Sequence, residues 1–475
     1  MSASTAAGVA GAVAGAGGTD NCFLPGPAPC SLPDPAAQSL PQGSSAELPE
    51  GVQLTELPGG LRVITETVPS VRSVALGLWV RTGSRNEPLA QAGVSHFLEH
   101  LLFKSTERHS AIEISELFDG MGAATNAATS KESTHLHARL LDEHTEDAFD
   151  LLAEMLLRPS LPEDEVDSER EVVLEEIAMY EDEPQDRVHD VLAAAVHGEH
   201  PLGRRVLGDA QVIGSIPIAE ISSYHRAHYT APNVVVAAAG HLEHEGIVEL
   251  ARRALTPPAG ERNGVPGEGA GDPAPRFAFQ AKETEQYHIC FGGPGISRSD
   301  ERRFALGILD AIFGGSTSSR LFREVREKRG LAYAVGSYSE QYVDHGMVAM
   351  YVGTREDNVR EACEIIGREL GSLRDQGVTA EELERAKEHV KGRTVLGLEA
   401  TGARMSRLAR AILFGVPLLS LDELLERIEQ VSAEDVAQLA TQLYDPERLS
   451  AACIGPQEDR FRDATASVSE ALAAA

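Results

Sequence analysis

The chain has 475 residues, more than one ordinary hydrophobic core uses, and its 42% hydrophobic content suits a globular protein of two domains. A formal net charge of −31 argues against nucleic acid and anionic membrane surfaces as partners. No stretch approaches the roughly 20 consecutive apolar residues of a membrane span, and the N-terminus has no basic residue before an apolar run, so neither a secretory signal nor a transit peptide is expected. The five cysteines are scattered and odd in number; they read as neither a disulfide framework nor a metal site, which points to a reducing, cytoplasmic location.

Residues 1–48 are rich in Ala, Gly and Pro and read as a disordered tail. Strands are expected at 52–57 and 61–66 around Pro58-Gly59-Gly60, and again at 71–81. A helix over Glu87–Phe103 then carries His96-Phe97-Leu98-Glu99-His100. Its histidines are four apart, so they share one helical face and can grip one zinc ion. Glu99 projects beside that pair, where a base acting on a metal-activated water belongs. His-x-x-Glu-His is a peptidase signature, the reverse of the commoner zincin order.

A helix over 112–121 and two strands, from Ala124 and from Ser133, follow. His135 and His137 fall on one strand face with no third ligand beside them. A helix over 143–157 precedes a long acidic helix over 163–182, in which Glu169 and Glu176 are seven apart and share a face with Val166, Val173 and Ile177. A carboxylate turned inward is costly unless paired or bound to a metal, which singles out Glu176 as the third ligand. Further helices are expected at 187–197 and 218–228, then a buried strand from Asn233. His241-Leu242-Glu243-His244 imitates a metal motif but has no distant acidic helix of its own.

Residues 256–275 form a Pro/Gly-rich flexible linker. Beyond it the pattern restarts. The strand at 286–293 answers that at 74, the helix 302–313 answers the histidine helix, 341–351 answers the strand ending at Leu140, 357–373 answers 143–157, 379–393 answers the acidic helix, and 431–456 answers 216–240. The second copy has no histidine pair. The expected fold class is α+β: two tandem homologous sandwich halves, each a mostly antiparallel sheet flanked by helices, over 49–255 and 276–460, with a C-terminal tail at 461–475.

These residues resemble the pitrilysin-like (inverzincin, M16) metallopeptidases, particularly the mitochondrial-processing-peptidase-like branch. The likeness spans about residues 50–460 and rests on His96–His100, Glu169–Glu181, Asn126-Ala127-Ala128-Thr129-Ser130 and the run from Ser318 to Tyr333. It implies one zinc per chain, held by His96, His100 and Glu176, with Glu169 supporting the site and Glu99 as general base. Asn126, Ala127 and Ala128 match an edge strand along which substrate peptides lie by strand addition. Arg326 and Tyr333 match a pair in which the Tyr stabilises an oxyanion and the Arg orients it; a phenol and a guanidinium are suitable donors for that. Where many relatives have a Tyr pair, this chain has His135 and His137. Large members enclose a chamber with four such halves and this chain has two, which implies a homodimer acting on short or unfolded peptides. The expected function is that of a zinc endopeptidase. The alternative is a non-catalytic peptide-binding or scaffold subunit.

Overall fold

The computed structural model describes residues 48–269 and 271–474, so residues 1–47 of the expected tail, with Cys22 and Cys30, lie outside the described residues. The first sheet contains β1 (Val52–Glu56), β2 (Arg62–Thr67), β3 (Ser73–Val80), β4 (Ala124–Thr129), β5 (Thr134–Leu141) and β6 (Val234–Gly240), in the order β1-β2-β6-β3-β5-β4. The second contains β7 (Phe277–Ala281), β8 (Tyr287–Pro294), β9 (Ala332–Gln341), β10 (Gly346–Thr354) and β11 (Ser450–Gly455), in the order β7-β11-β8-β10-β9. Apart from the extra β1, the second order repeats the first. The one parallel pair recurs in the same place, β2 with β6 and β7 with β11, and the other neighbours are antiparallel. The fold is therefore mixed α+β with two homologous halves.

Side-chain patterning explains the layers. β6, Val-Val-Val-Ala-Ala-Ala-Gly, is buried along its whole length, as a central strand covered on both faces must be. β5 alternates instead: Leu136, Ala138 and Leu140 enter the first core while His135, His137 and Arg139 face the other way.

Each half covers its own sheet on one face only. The other face of the first sheet is closed by helix Thr401–Phe414 from the second half: Met405, Leu408 and Ile412 pack on Ile64, Trp79 and Val235. Reciprocally, helix Pro184–His197 from the first half packs Val188, Leu192 and Val196 on Met347, Ala349 and Ala452 of the second sheet. Both helices follow the long helix of their own half, at 163–181 and 380–397, so the exchange obeys the internal repeat. Gly77 is fitted to it: a Cβ there would lie 2.7 Å from both Met405 Sδ and Trp79 Nε1.

A buried polar clasp joins the halves as well. Arg85 Nη1 and Nη2 donate to the two carboxylate oxygens of Asp344 at 2.6 and 2.8 Å, and Nη1 also reaches Glu132 at 2.8 Å. Glu132 in turn accepts from the Val343 amide. Burial would lift the Asp344 carboxyl, but Arg85 and His345 hold it down to about 2.

Two expectations need correction. Among its described residues the 256–275 connection carries no helix or strand, yet it is pinned rather than loose: Asn263 Nδ2 donates to Arg81 O, the Asn263 amide to Asn233 Oδ1, and Arg85 Nε to Pro266 O. Residues 461–474, expected as part of a C-terminal tail over 461–475, are not a tail. Helices Glu458–Thr465 and Glu470–Ala474 place Phe461, Ala464, Val468 and Leu472 in the second core, where Phe461 stacks on Phe277. Among the described residues, no helix is long and apolar enough to cross a membrane.

Candidate metal and peptide site

The histidine helix is shorter than expected, Val94–Leu101, because Pro88 and Gly93 interrupt the stretch before it. Gly93 has φ 97°, and a Cβ there would meet the Leu207 carbonyl at 2.8 Å, so the position demands glycine. The buried Glu87 does the work of a cap: its carboxylate accepts from the amides of Gly93 and Ser95 at 2.7 and 2.8 Å. Ser95 Oγ and Thr82 Oγ1 both meet Tyr224 OH, which fixes the start of the helix. Phe97, Leu98 and Leu101 anchor it in the first core.

The acidic helix Glu163–Glu181 lies alongside. Val166, Val173 and Ile177 are buried with it, and Arg170 stacks over the Phe97 ring at 5.3 Å. This brings Glu176 Oε2 to 3.6 Å from His96 Nε2 and 3.4 Å from His100 Nε2. Ligand atoms on a tetrahedral zinc at about 2.0–2.1 Å stand roughly 3.4 Å apart, so the three side chains have the spacing of a zinc site. Glu176 Oε2 is buried with no hydrogen-bond partner, as a ligand atom awaiting a cation is. His100 Nδ1 donates to Glu169 Oε1 at 2.9 Å, which turns Nε2 toward the site, and Lys104 holds the other Glu169 oxygen at 2.5 Å.

Charge follows from this packing. Burial and the neighbouring His100 pull His96 down to about 4. Burial opposes charge on His100 too, but the hydrogen bond to Glu169 and the nearby Glu176 carboxylate win and lift it to about 9. Burial pushes the Glu99 carboxyl up, with hydrogen bonding from Thr129 as the main opposing effect. Glu99 Oε2 has no protein partner.

The other expected residues divide into two places. β4 is the edge strand of its sheet, and Asn126 is exposed on it, with Oδ1 accepting from the Ala127 amide at 2.9 Å. Ala128 is exposed, but the Ala127 side chain lies in the core, so only its backbone is on offer. In the second half Tyr333 sits at the start of β9, also an edge strand. The flanking sequence reads as a strand running into a core, yet Tyr333 is 78% exposed. Arg326 lies over its ring at 4.3 Å and donates to its carbonyl at 2.9 Å.

The imitation motif is structural. His244 is held between Thr55 and Thr65 hydroxyls, and His241 by Asp142. His200, Asp344 and His345 also cluster within ligand distance. There, however, both His200 nitrogens are engaged, with the Leu202 amide and the Gly267 carbonyl, and Asp344 is taken by Arg85. Sequence reasoning missed Glu87, Lys104 and Thr129. Lys104 had a signal: it lies four residues after His100.

The sequence matches the description Insulinase (Peptidase family M16) over residues 62–210 and Peptidase M16 inactive domain over 215–390. An uncharacterized zinc protease of Streptomyces coelicolor is 42% identical over 431 residues, covering 87% of this chain and 93% of that protein. The chain belongs to the M16 peptidase family. The uncharacterized zinc protease YmxG of Bacillus subtilis is 41% identical over 389 residues, 81% of this chain and 94% of its own. A crystal structure of a Helicobacter pylori protease superposes with a TM-score of 0.80 at 22% identity, over 86% of this chain and all of that one. The likeness to that structure concerns the fold. All three candidate ligands fall in the first M16 segment, and Arg326 and Tyr333 in the second.

Removing the carboxylate that orients His100 leaves the three ligands in place but unsteadied. Glu169→Ala is expected to weaken zinc affinity about 10- to 100-fold, measured by competition with a chromogenic chelator. Unchanged affinity would mean that the Glu169 contact does not tune the site.

Proposed function

We propose that this M16 chain is a zinc endopeptidase that hydrolyses peptides or unfolded polypeptides, with Glu99 as general base. The observation that supports it most is the spacing of His96, His100 and Glu176, with Glu99 beside them and its Oε2 buried and without a hydrogen-bond partner. One zinc ion held there supplies Lewis acidity, polarising a substrate carbonyl and acidifying a water.

The chain's own residues supply the rest. Glu99 takes the proton of the attacking water and delivers it to the leaving amine. The open edge of β4 offers main-chain hydrogen bonds to an extended peptide, with the Asn126 amide at its centre. Ala127 and Ala128 contribute backbone only. The Tyr333 hydroxyl donates to the developing oxyanion, and Arg326 orients that ring from below. The same reading places the chain in the mitochondrial-processing-peptidase-like branch, in the cytoplasm, and as a homodimer in which Tyr333 of one chain serves the metal site of the other.

The deciding experiment is a quenched-peptide turnover assay with and without chelator. Cleavage lost to chelation and restored by zinc supports the proposal. A zinc-loaded protein that binds peptides and cuts none would make it a capture or scaffold subunit. Sharing between chains has its own test. A Tyr333→Phe chain mixed with a His96→Ala chain should regain about a quarter of wild-type turnover, because about half of the dimers are mixed and each has one complete site of two, whereas no recovery on mixing would place both groups in one chain.

A further inference from the structure

The edge strand β4 has two faces, and only one meets the histidine helix. Ala127 of β4 lies with Leu136 and Ala138 of β5 in the core that also holds Phe97 and Leu101. The β4–β5 register pairs Ala124 with Arg139, Asn126 with His137 and Ala128 with His135, so these six side chains share the opposite face. On that face β4 carries little bulk: two alanines flank Asn126, and all three are exposed. The long side chains stand one strand further in.

Arg139 is exposed, and its guanidinium has no hydrogen-bond or ion-pair partner among the described residues. Its neighbours on the face do not neutralise it. Besides burial, His137 and Arg410 depress His135 to about 3, so the charge of Arg410 is felt on this face.

We propose that Arg139 selects an acidic side chain at one position of the bound peptide, the residue that lies beside Ala124. Neighbouring strands are about 4.8 Å apart, so a peptide added to β4 runs about 10 Å from β5. Only the methyl group of Ala124 stands in that gap, and an arginine and a glutamate side chain together bridge it. The guanidinium fork then meets the carboxylate in a two-bond pair. Arg139 is thus a specificity-determining residue, two strand spacings from the bound peptide. This inference rests on the peptidase reading and on β4 as the edge that receives substrate.

The test is a set of quenched peptides derived from one cleaved sequence, with Glu, Gln or Lys placed at each position in turn. At one position Glu should be cleaved about three- to fivefold better in kcat/KM than Lys, the scale of a partly exposed ion pair. Arg139→Gln should erase that preference and Arg139→Glu should invert it, while preferences at every other position stay as in the wild type. If Arg139→Glu leaves all positional preferences unchanged, the selectivity proposal fails while the peptidase reading stands. A zinc-loaded wild type that cleaves no member of the set overturns both.

Discussion

Glu99→Gln should retain one zinc ion per chain and lose turnover by about a thousandfold, within the span that a positioned general base contributes. The substitution keeps the shape and volume of the side chain. It leaves His96, His100 and Glu176 untouched, so the metal content, read by atomic absorption, should match the wild type. Glutamine cannot accept a proton from the attacking water, and the Glu169 carboxylate is occupied by His100 and Lys104. Burial already biases the Glu99 carboxyl upward, the direction a base working near neutrality requires. A metal-replete Glu99→Gln enzyme with wild-type kcat would remove Glu99 from the mechanism. A variant that lost its zinc would instead assign Glu99 to the integrity of the site.

The second large effect is on stability. Arg85 is almost fully buried, with a side-chain exposure of 1%, between Glu132 and Asp344 at 7% and 14%. Replacing it by Met strands two carboxylates in the junction between the halves. Breaking a buried ion pair by removing one partner costs about 3–5 kcal/mol, and the urea midpoint of Arg85→Met should fall accordingly. Adding Glu132→Gln and Asp344→Asn in the same chain removes the stranded charge and should recover most of the loss. A midpoint that does not move in the single variant would show that the clasp adds nothing to stability. A triple variant as weak as the single one would assign the loss to packing rather than charge.

The metal site was legible because its determinants are local and periodic. Residues four apart on one helix, and seven apart on another, face one way whatever the surrounding fold. The expectation that an inward-turned carboxylate needs a partner marked Glu176 within an otherwise acidic helix; its side chain is 41% exposed, with Oε2 alone shut from solvent. The repeat was legible because strand and helix patterns recur in order. What surrounds the histidine helix was less so. Glu87 looks like any acidic residue before a proline, and only the tertiary turn at Gly93 brings it onto the amides of Gly93 and Ser95. Tyr333 lies in an apolar run, but its strand is at a sheet edge, and edge position is a property of topology rather than of the run itself. The crossing of helices Pro184–His197 and Thr401–Phe414 was hidden for the same reason. Each has one apolar stripe, and a stripe does not say which sheet it will cover. The end of the chain was misread because its helices, short and rich in alanine, carry few large apolar residues, though Phe461 and Leu472 suffice to dock them.

The reciprocal loan of a helix has a practical corollary. A protease that nicks the backbone between 256 and 275 would release nothing, because each fragment keeps hold of the piece that roofs its neighbour. The two fragments should co-purify as a non-covalent pair, and either one produced alone should aggregate through its uncovered sheet.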